Sequence, residues 1–337
     1  MLRCAVIGCG WAGNQHIKSI IESSYSQLAA VVEPDTARAD ITLKTFGVPV
    51  FSSLDALLST KVEFEVGIVA TLPGLHYEQC IALANAGKHI LCEKPVCRNS
   101  KDIEALALVA NETGVCFGVV FNQRYGHAVE QAKILLKDDN TSIHLITASM
   151  YQHLQAWIGN HVDENMLITD SCCHMLDLVT FFGGPIKSVK GLAKKVDSDI
   201  YSDIASLLEF ESGGVGIMSH TGVGGKLDTQ HPFQCLDIHT GKARYRIENQ
   251  FDSLIVFPHD GEARLIYETS VFRARDYTVS LRNACDAYYR ALYKGGEPPV
   301  GINDALTNMR CLEAIMQSVT DQADNRVITT DIYNQPG

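Results

Sequence analysis

The sequence predicts two domains, an α/β domain on a parallel sheet and then an α+β domain on a large, mostly antiparallel open sheet. Two observations lead there. Over the first 120 residues, short β-branched runs alternate with amphipathic stretches, the pattern of a parallel sheet covered by helices. From about residue 141 the rhythm changes, and strand-like runs follow one another with turn residues between them, as in antiparallel pairing. A chain of 337 residues can hold two full-sized cores, and 46% hydrophobic with 20% charged residues is ordinary for a globular protein.

Taken in order, strands are expected at 2–7, 28–32, 66–70, 88–92 and 115–120, with helices at 13–23, 36–46, 53–59, 75–86 and 100–113. Asn99-Ser100 followed by Asp102 and Glu104 marks a capped helix start with negative charge in its first turn. In the second half, Ile143–Tyr151, Ile186–Leu192, Ile204–Phe210, Gly214–His220, Gln234–His239 and Ala243–Glu248 read as strands. A last helix, Asn303–Asp321, follows the Pro298-Pro299 stop. The expected division is 1–122 and 123–337.

The first strand runs directly into Gly8-Cys9-Gly10-Trp11-Ala12-Gly13, a Gly-x-Gly-x-x-Gly turn. Gly8 permits the sharp turn into a helix, Gly10 lets backbone approach a pyrophosphate, and Gly13 lets helix and strand pack closely. The helix start, with Trp11 and Ala12, offers N–H groups to the anion. The second strand ends in Glu33, 20 residues beyond Gly13, where a carboxylate would hold the adenine ribose hydroxyls. Residues 1–122 are therefore expected to be a Rossmann dinucleotide-binding domain. A carboxylate repels a 2′-phosphate, and Pro34 and Asp35 rather than a cation follow it, so NAD is favoured; Arg38 keeps NADP open.

A formal net charge of −11 argues against a nucleic-acid groove or an anionic membrane surface and for a small-molecule substrate. No apolar run approaches the about 20 residues that span a bilayer. Met1-Leu2-Arg3 leads into a strand without a signal-peptide core, so a cytoplasmic location is expected. Eleven cysteines, among them Cys4, Cys80, Cys92, Cys116 and Cys235, lie in apolar stretches without a Cys-x-x-Cys pair and are read as reduced core residues. Cys172-Cys173 are poorly placed to share one metal ion, and no metal site is expected.

Two segments carry candidate chemistry. The fourth predicted strand ends in Glu93-Lys94-Pro95, at the sheet edge where open α/β folds bind ligands. Lys94 there would lie beside the nicotinamide and could steady a developing alkoxide or exchange a proton, although a lysine in such a tripeptide also fits a solvated loop. In the second half, Asp170 and His174 stand at i, i+4 where an apolar helix opens. That spacing lets a carboxylate fix an imidazole whose unperturbed pKa of about 6.5 suits proton exchange. It fits an N-cap aspartate beside a satisfied histidine equally well.

These segments, with Glu33-Pro34-Asp35, Ala70–His76, Asp170-x-x-x-His174-x-x-Asp177 and Asp237–Arg246, fall in an order that resembles the glucose-fructose oxidoreductase / inositol dehydrogenase (Gfo/Idh/MocA) family nearly end to end. The resemblance implies a catalytic set of Lys94, Asp170 and His174. It also implies that Thr71, Pro73 and His76 lie along the cofactor, with Glu93 and Lys94 at its reactive end. Asn122, Gln123, Arg124 and Tyr125 follow the fifth predicted strand, where family members contact substrate; Tyr151, His153, Trp157 and Asn165 lie on the approach to the catalytic helix. Hydrogen-bonding groups beside aromatic rings suit a sugar or cyclitol. The sequence departs from the family at Asp163-Glu164-Asn165-Met166 and at Ser171-Cys172-Cys173, both of which leave the Asp170/His174 spacing intact.

The implied activity is an NAD-dependent dehydrogenase of a sugar, aminosugar or cyclitol hydroxyl. Reduction of a ketosugar would use the same residues, and a non-catalytic dinucleotide- or sugar-sensing regulator is the reading from another class. Residues 123–337 would bind substrate and, through an open sheet with one uncovered face, form a homodimer or homotetramer.

Overall fold

The computed structural model describes residues 1–151, 167–196, 200–222, 233–248, 253–268 and 277–321. The first half forms β1 (Leu2–Ile7), α1 (Trp11–Glu22), β2 (Ser26–Val32), α2 (Thr36–Phe46), β3 (Val50–Phe51), α3 (Leu54–Leu58), β4 (Val66–Val69), α4 (Pro73–Asn85), β5 (His89–Cys92), α5 (Ser100–Thr113) and β6 (Phe117–Val119). The strands make a six-stranded sheet in the order β3-β2-β1-β4-β5-β6, every pair parallel. Cys4, Ala5, Val6 and Ile7 are all buried, as a strand covered on both faces requires. The order reverses between β1 and β4, and such a switch point opens a crevice at the carboxyl ends of the strands. Asn99 caps α5 by accepting the Asp102 N–H at 2.8 Å, as its sequence predicts.

The rest of the chain forms α6 (His127–Asp139), β7 (Ile143–Tyr151), α7 (Cys173–Gly183), β8 (Ile186–Val196), β9 (Ile200–Phe210), β10 (Val215–Thr221), β11 (Phe233–Thr240), β12 (Ala243–Glu248), β13 (Ser253–Pro258), β14 (Arg264–Glu268), α8 (Tyr277–Tyr293) and α9 (Ile302–Thr320). Its eight-stranded sheet runs β14-β13-β12-β11-β7-β10-β9-β8, antiparallel except for β7 beside β10. Strict alternation buries Ile146, Ala148 and Met150 of β7 and Met218 and His220 of β10 on one face. Helix α7 packs on both strands. A Cβ on Gly183, at the end of α7, would overlap the Phe210 ring at the end of β9, and one on Gly214 would strike Ile143 O. The helix therefore runs antiparallel to β7, and its first turn lies where β7 and β10 finish.

The second half of the chain does not stay with the second sheet. Leu281, Cys285, Tyr288 and Tyr289 of α8 are buried in one core with Cys4, Val6, Ile17, Ile20, Ile68 and Leu91 of the first. Gly118 of β6 has no room for a Cβ against the Tyr288 ring. Two ties outside this core, Ser23 Oγ to Asp286 Oδ1 at 2.7 Å and Arg282 to Glu22 at 2.6 Å, hold α8 along α1. All eleven cysteines are free, and nine of them are buried.

Candidate active site

At the switch point the glycine turn is fixed by sterics. Gly8 has φ +93° and hydrogen-bonds Val32 O through its N–H at 2.8 Å; a Cβ there would lie 2.8 Å from Ala70 O. A Cβ on Gly13 would overlap the carbonyl of Gly8, so α1 can approach β1 this closely only without one. Gly10 is different: a Cβ would meet nothing within 4 Å, so the protein itself does not require glycine there. Its bareness suits an external group against the backbone. Gly10 is the N-cap of α1 with no side-chain cap, followed by exposed Trp11 and by Ala12, so the first-turn N–H groups face the same space. These residues fit a dinucleotide pyrophosphate.

Glu33 is buried, and its carboxylate accepts the N–H of Cys9 and of Asp35, each at 2.9 Å. It therefore braces the glycine turn from below, which no sequence signal distinguished from a ribose contact. The Arg38 guanidinium lies 3.4 Å from Glu33 and 3.8 Å from Asp35. Thr71 donates to Gln79 at 2.6 Å, and Pro73 is the first residue of α4. His76, expected along the cofactor, is instead fully buried with its two ring nitrogens 3.1 and 3.0 Å from the carbonyls of Thr71 and Pro95. It ties two loops together, and burial holds its pKa below the usual value.

Lys94 follows β5, before a cis bond to Pro95. Its Nζ donates to Asp170 Oδ1 at 2.9 Å and to Asp170 O at 3.0 Å. Residues Leu167–Cys172 form a π-helical turn ahead of α7, which sets Asp170 out of step with the following α-helix. The i, i+4 spacing predicted a carboxylate holding His174; the π turn delivers it to Lys94 instead. Two further bonds fix this corner, Cys173 Sγ to Asp170 O at 3.2 Å and Asn308 Nδ2 to Cys173 O at 2.9 Å. His174 is buried beside Phe121, ring edge to ring face at 6.5 Å. Burial, and then the charge of Lys94, hold its pKa well below 6.5, so the imidazole is neutral at neutral pH.

The expected substrate residues separate. Asn122 is fully buried; its Nδ2 donates to Ser280 Oγ at 2.8 Å, while its Oδ1 has no partner among the described residues. Gln123 accepts from Gln234 Nε2 at 3.3 Å. Arg124 is a correction: its guanidinium grips Asp177 at 2.8 and 2.6 Å and Asp304 at 2.9 Å, between the rings of Phe121 and Phe181. It pins the turn after β6 to α7 and α9. Tyr125 is half-buried, and burial pushes its hydroxyl up to about 12. Tyr151 is exposed at the end of β7, on the face opposite Met150 and α7, which is a second correction. His153, Trp157 and Asn165 lie outside the described residues.

Two residues the sequence did not mark are His220 and Gln234. Both are buried and flank Met150 in one row across β10, β7 and β11. Among the described residues, neither nitrogen of His220, nor Gln234 Oε1, has a hydrogen-bond partner. Strand alternation alone makes them core positions; only the register of three distant strands brings them together.

Residues 2–121 match the family described as oxidoreductase family, NAD-binding Rossmann fold, and residues 141–327 match the C-terminal alpha/beta domain of the same family. The chain belongs to the Gfo/Idh/MocA oxidoreductases. It is 23% identical over 330 residues to an inositol 2-dehydrogenase of Rhizobium meliloti (strain 1021), covering 95% of this chain and 98% of that one. It is 24% identical over 322 residues to a D-xylose 1-dehydrogenase (NADP(+)) of Haloferax volcanii, covering 93% and 96%. Among solved structures, an oxidoreductase from Agrobacterium radiobacter in complex with NAD+, L-tartaric acid and magnesium superimposes with a TM-score of 0.84 at 19% identity, covering 95% of this chain and 96% of that one. Levoglucosan dehydrogenase with NADH and levoglucosan gives 0.83 at 19% identity, covering 96% and 98%. At these identities the superpositions show the fold.

Proposed function

We propose that the protein oxidises a secondary hydroxyl of a sugar, aminosugar or cyclitol with NAD, with Lys94 and His174 as catalytic residues. The observation that carries this is the bond of Lys94, from the nucleotide-binding sheet, to Asp170, from the segment that covers the second sheet, with His174 near enough to feel the Lys94 charge. The glycine turn and the start of α1 would hold the dinucleotide, whose nicotinamide supplies the hydride acceptor when bound. Lys94 is an ammonium directed by two bonds to Asp170, and it steadies the negative charge that grows on the substrate oxygen. His174 is neutral, so it can take the hydroxyl proton. Asp170 acts through Lys94. The orphaned polar atoms of Asn122, Gln234 and His220 favour a polyhydroxylated substrate, since hydroxyls both donate and accept.

NAD is favoured because two carboxylates, Glu33 and Asp35, stand against one guanidinium, Arg38, at the end of β2. The uncovered face of the eight-stranded sheet carries Leu207 paired with Ile217, and Leu192 paired with Ala205 on the next strand. This apolar stripe is read as the contact between copies of the chain. The test is cofactor reduction with myo-inositol, D-xylose, D-glucose and levoglucosan, each with NAD and NADP. Turnover of at least one, with NAD bound more tightly, is expected. No turnover of any polyol, or tighter NADP, contradicts the respective half of the proposal.

A further inference from the structure

In the row Cys285, His16 and Glu93, the first two side chains are buried and Glu93 is half-buried. His16, in α1, is fully enclosed; its Nε2 lies 2.8 Å from Glu93 Oε1 and its Nδ1 3.3 Å from Cys285 Sγ of α8. The other oxygen of Glu93 accepts the N–H of Lys94 at 3.3 Å. That bond is to the Lys94 backbone; its ammonium is bonded to Asp170, yet its charge lies near enough to help hold the Glu93 pKa down. An opposite charge within a few Å shifts an ionisable group by roughly 1–3 pK units, and draws its hydrogen bonds. Were Glu93 uncompensated, it would compete with Asp170 and the reacting oxygen for the ammonium.

We propose that His16 is a positioning residue: it stays an imidazolium, saturates the Glu93 carboxylate, and so leaves the Lys94 ammonium to Asp170 and the substrate oxygen. This rests on the role given to Lys94 above. The geometry favours the charged form because the largely enclosed Glu93 carboxylate, 13% exposed, needs a compensating charge, and the fully buried His16 is bonded directly to it. Among the described residues, the other titratable groups facing the pair include Cys285 from α8, His76 from α4 and Lys94; those facing Lys94 include Asp170, Cys173 and His174. His76 turns its ring nitrogens to the carbonyls of Pro95 and Thr71 rather than to Glu93, and burial lowers its pKa, so it does not replace His16 as the counter-charge. Burial opposes the cation at His16, but Cys285 and Glu93 outweigh it and hold its pKa above the usual value. Burial likewise opposes the anion at Glu93, and the bond and charge of His16 hold its pKa below.

Nitrogen NMR of histidine-labelled protein without ligand tests this independently of any substrate. Subtracting the spectrum of His16→Gln identifies the His16 resonances; should that variant not fold, the shift caused by Glu93→Gln identifies them. Both ring nitrogens protonated at pH 8 is the expected result, and a bare ring nitrogen at pH 8 overturns the inference. The second arm is the alkaline limb of kcat on whichever compound of the sugar panel turns over fastest. His16→Gln should move the limb upward by on the order of 1 pH unit and lower kcat about tenfold at pH 7.5, and adding Glu93→Gln should return the limb to the parental position. A limb that stays displaced in the double variant overturns the inference even with Lys94 confirmed as essential. A protein that turns over no sugar defeats the functional reading instead, and the spectrum still decides the charge of His16.

Discussion

In the six-stranded sheet, the residues expected to meet the pyrophosphate lie within one unbroken segment, Gly8–Gly13, whose backbone shape is forced by sterics at Gly8 and Gly13. In the eight-stranded sheet, comparable work is spread over residues with no sequence proximity, such as Met150, His220 and Gln234, aligned only by strand register. In the proposed function the first region meets something constant, a pyrophosphate, through backbone N–H groups that any sequence can offer once the turn is made. The second would face the variable partner, the substrate, with side chains. Lys94 and Asp170 are where the two regions touch.

This contrast can be broken at either end. The largest effect is expected from Gly13→Ala, whose Cβ overlaps the carbonyl of Gly8: α1 must move, and dinucleotide binding should be lost while the second sheet stays folded by far-UV circular dichroism. Near-normal binding would mean the turn is not the cradle. Next comes Arg124→Met, which strands the buried Asp177 carboxylate and should cost about 3 kcal/mol in urea unfolding. Adding Asp177→Leu should recover most of it. A change in substrate KM with unaltered stability would instead restore Arg124 to substrate binding.

The smallest effect concerns His220, whose pKa burial lowers to about 4. A histidine with a folded-state pKa below its unfolded value binds fewer protons folded than unfolded, so stability falls as pH drops below about 6.5. His220→Leu should therefore reduce the loss of unfolding free energy between pH 7 and pH 5 by about 2 kcal/mol. An unchanged loss would show that His220 has a partner that keeps it charged.

How much of this was legible in the sequence follows the same divide. The parallel sheet, its helices and the capped start of α5 were readable because each element carries its own periodicity and punctuation. Strand β3 has two residues and no period to detect. Helices α6 and α8 were missed: α8 mixes Tyr277, Arg282, Asn283 and Asp286 with its buried Leu281, Cys285 and Tyr289, and its partner α1 lies some 260 residues earlier in the chain. Strands β13 and β14 continue a sheet whose edge no local signal marks. At the site, Lys94 lies just past its expected strand and His174 in its expected helix, but Asp170 sits in a π turn ahead of that helix, next to the Cys173 carbonyl that Asn308 holds from α9, which i, i+4 spacing does not signal. Arg124 looked like a ligand contact because a lone arginine after a strand gives no hint of Asp177 and Asp304, which arrive 53 and 180 residues later.

The proposed function gives binding to the glycine turn and chemistry to the junction at Lys94. Lys94→Met separates the two, with dinucleotide affinity and turnover measured on the same preparation. Removing a positioned ammonium should cost on the order of 3 kcal/mol of barrier, about a hundredfold in kcat, with the NAD dissociation constant changed less than about threefold. A kcat near that of the parent at saturating substrate, or a loss of NAD binding as large as the loss of rate, would contradict it.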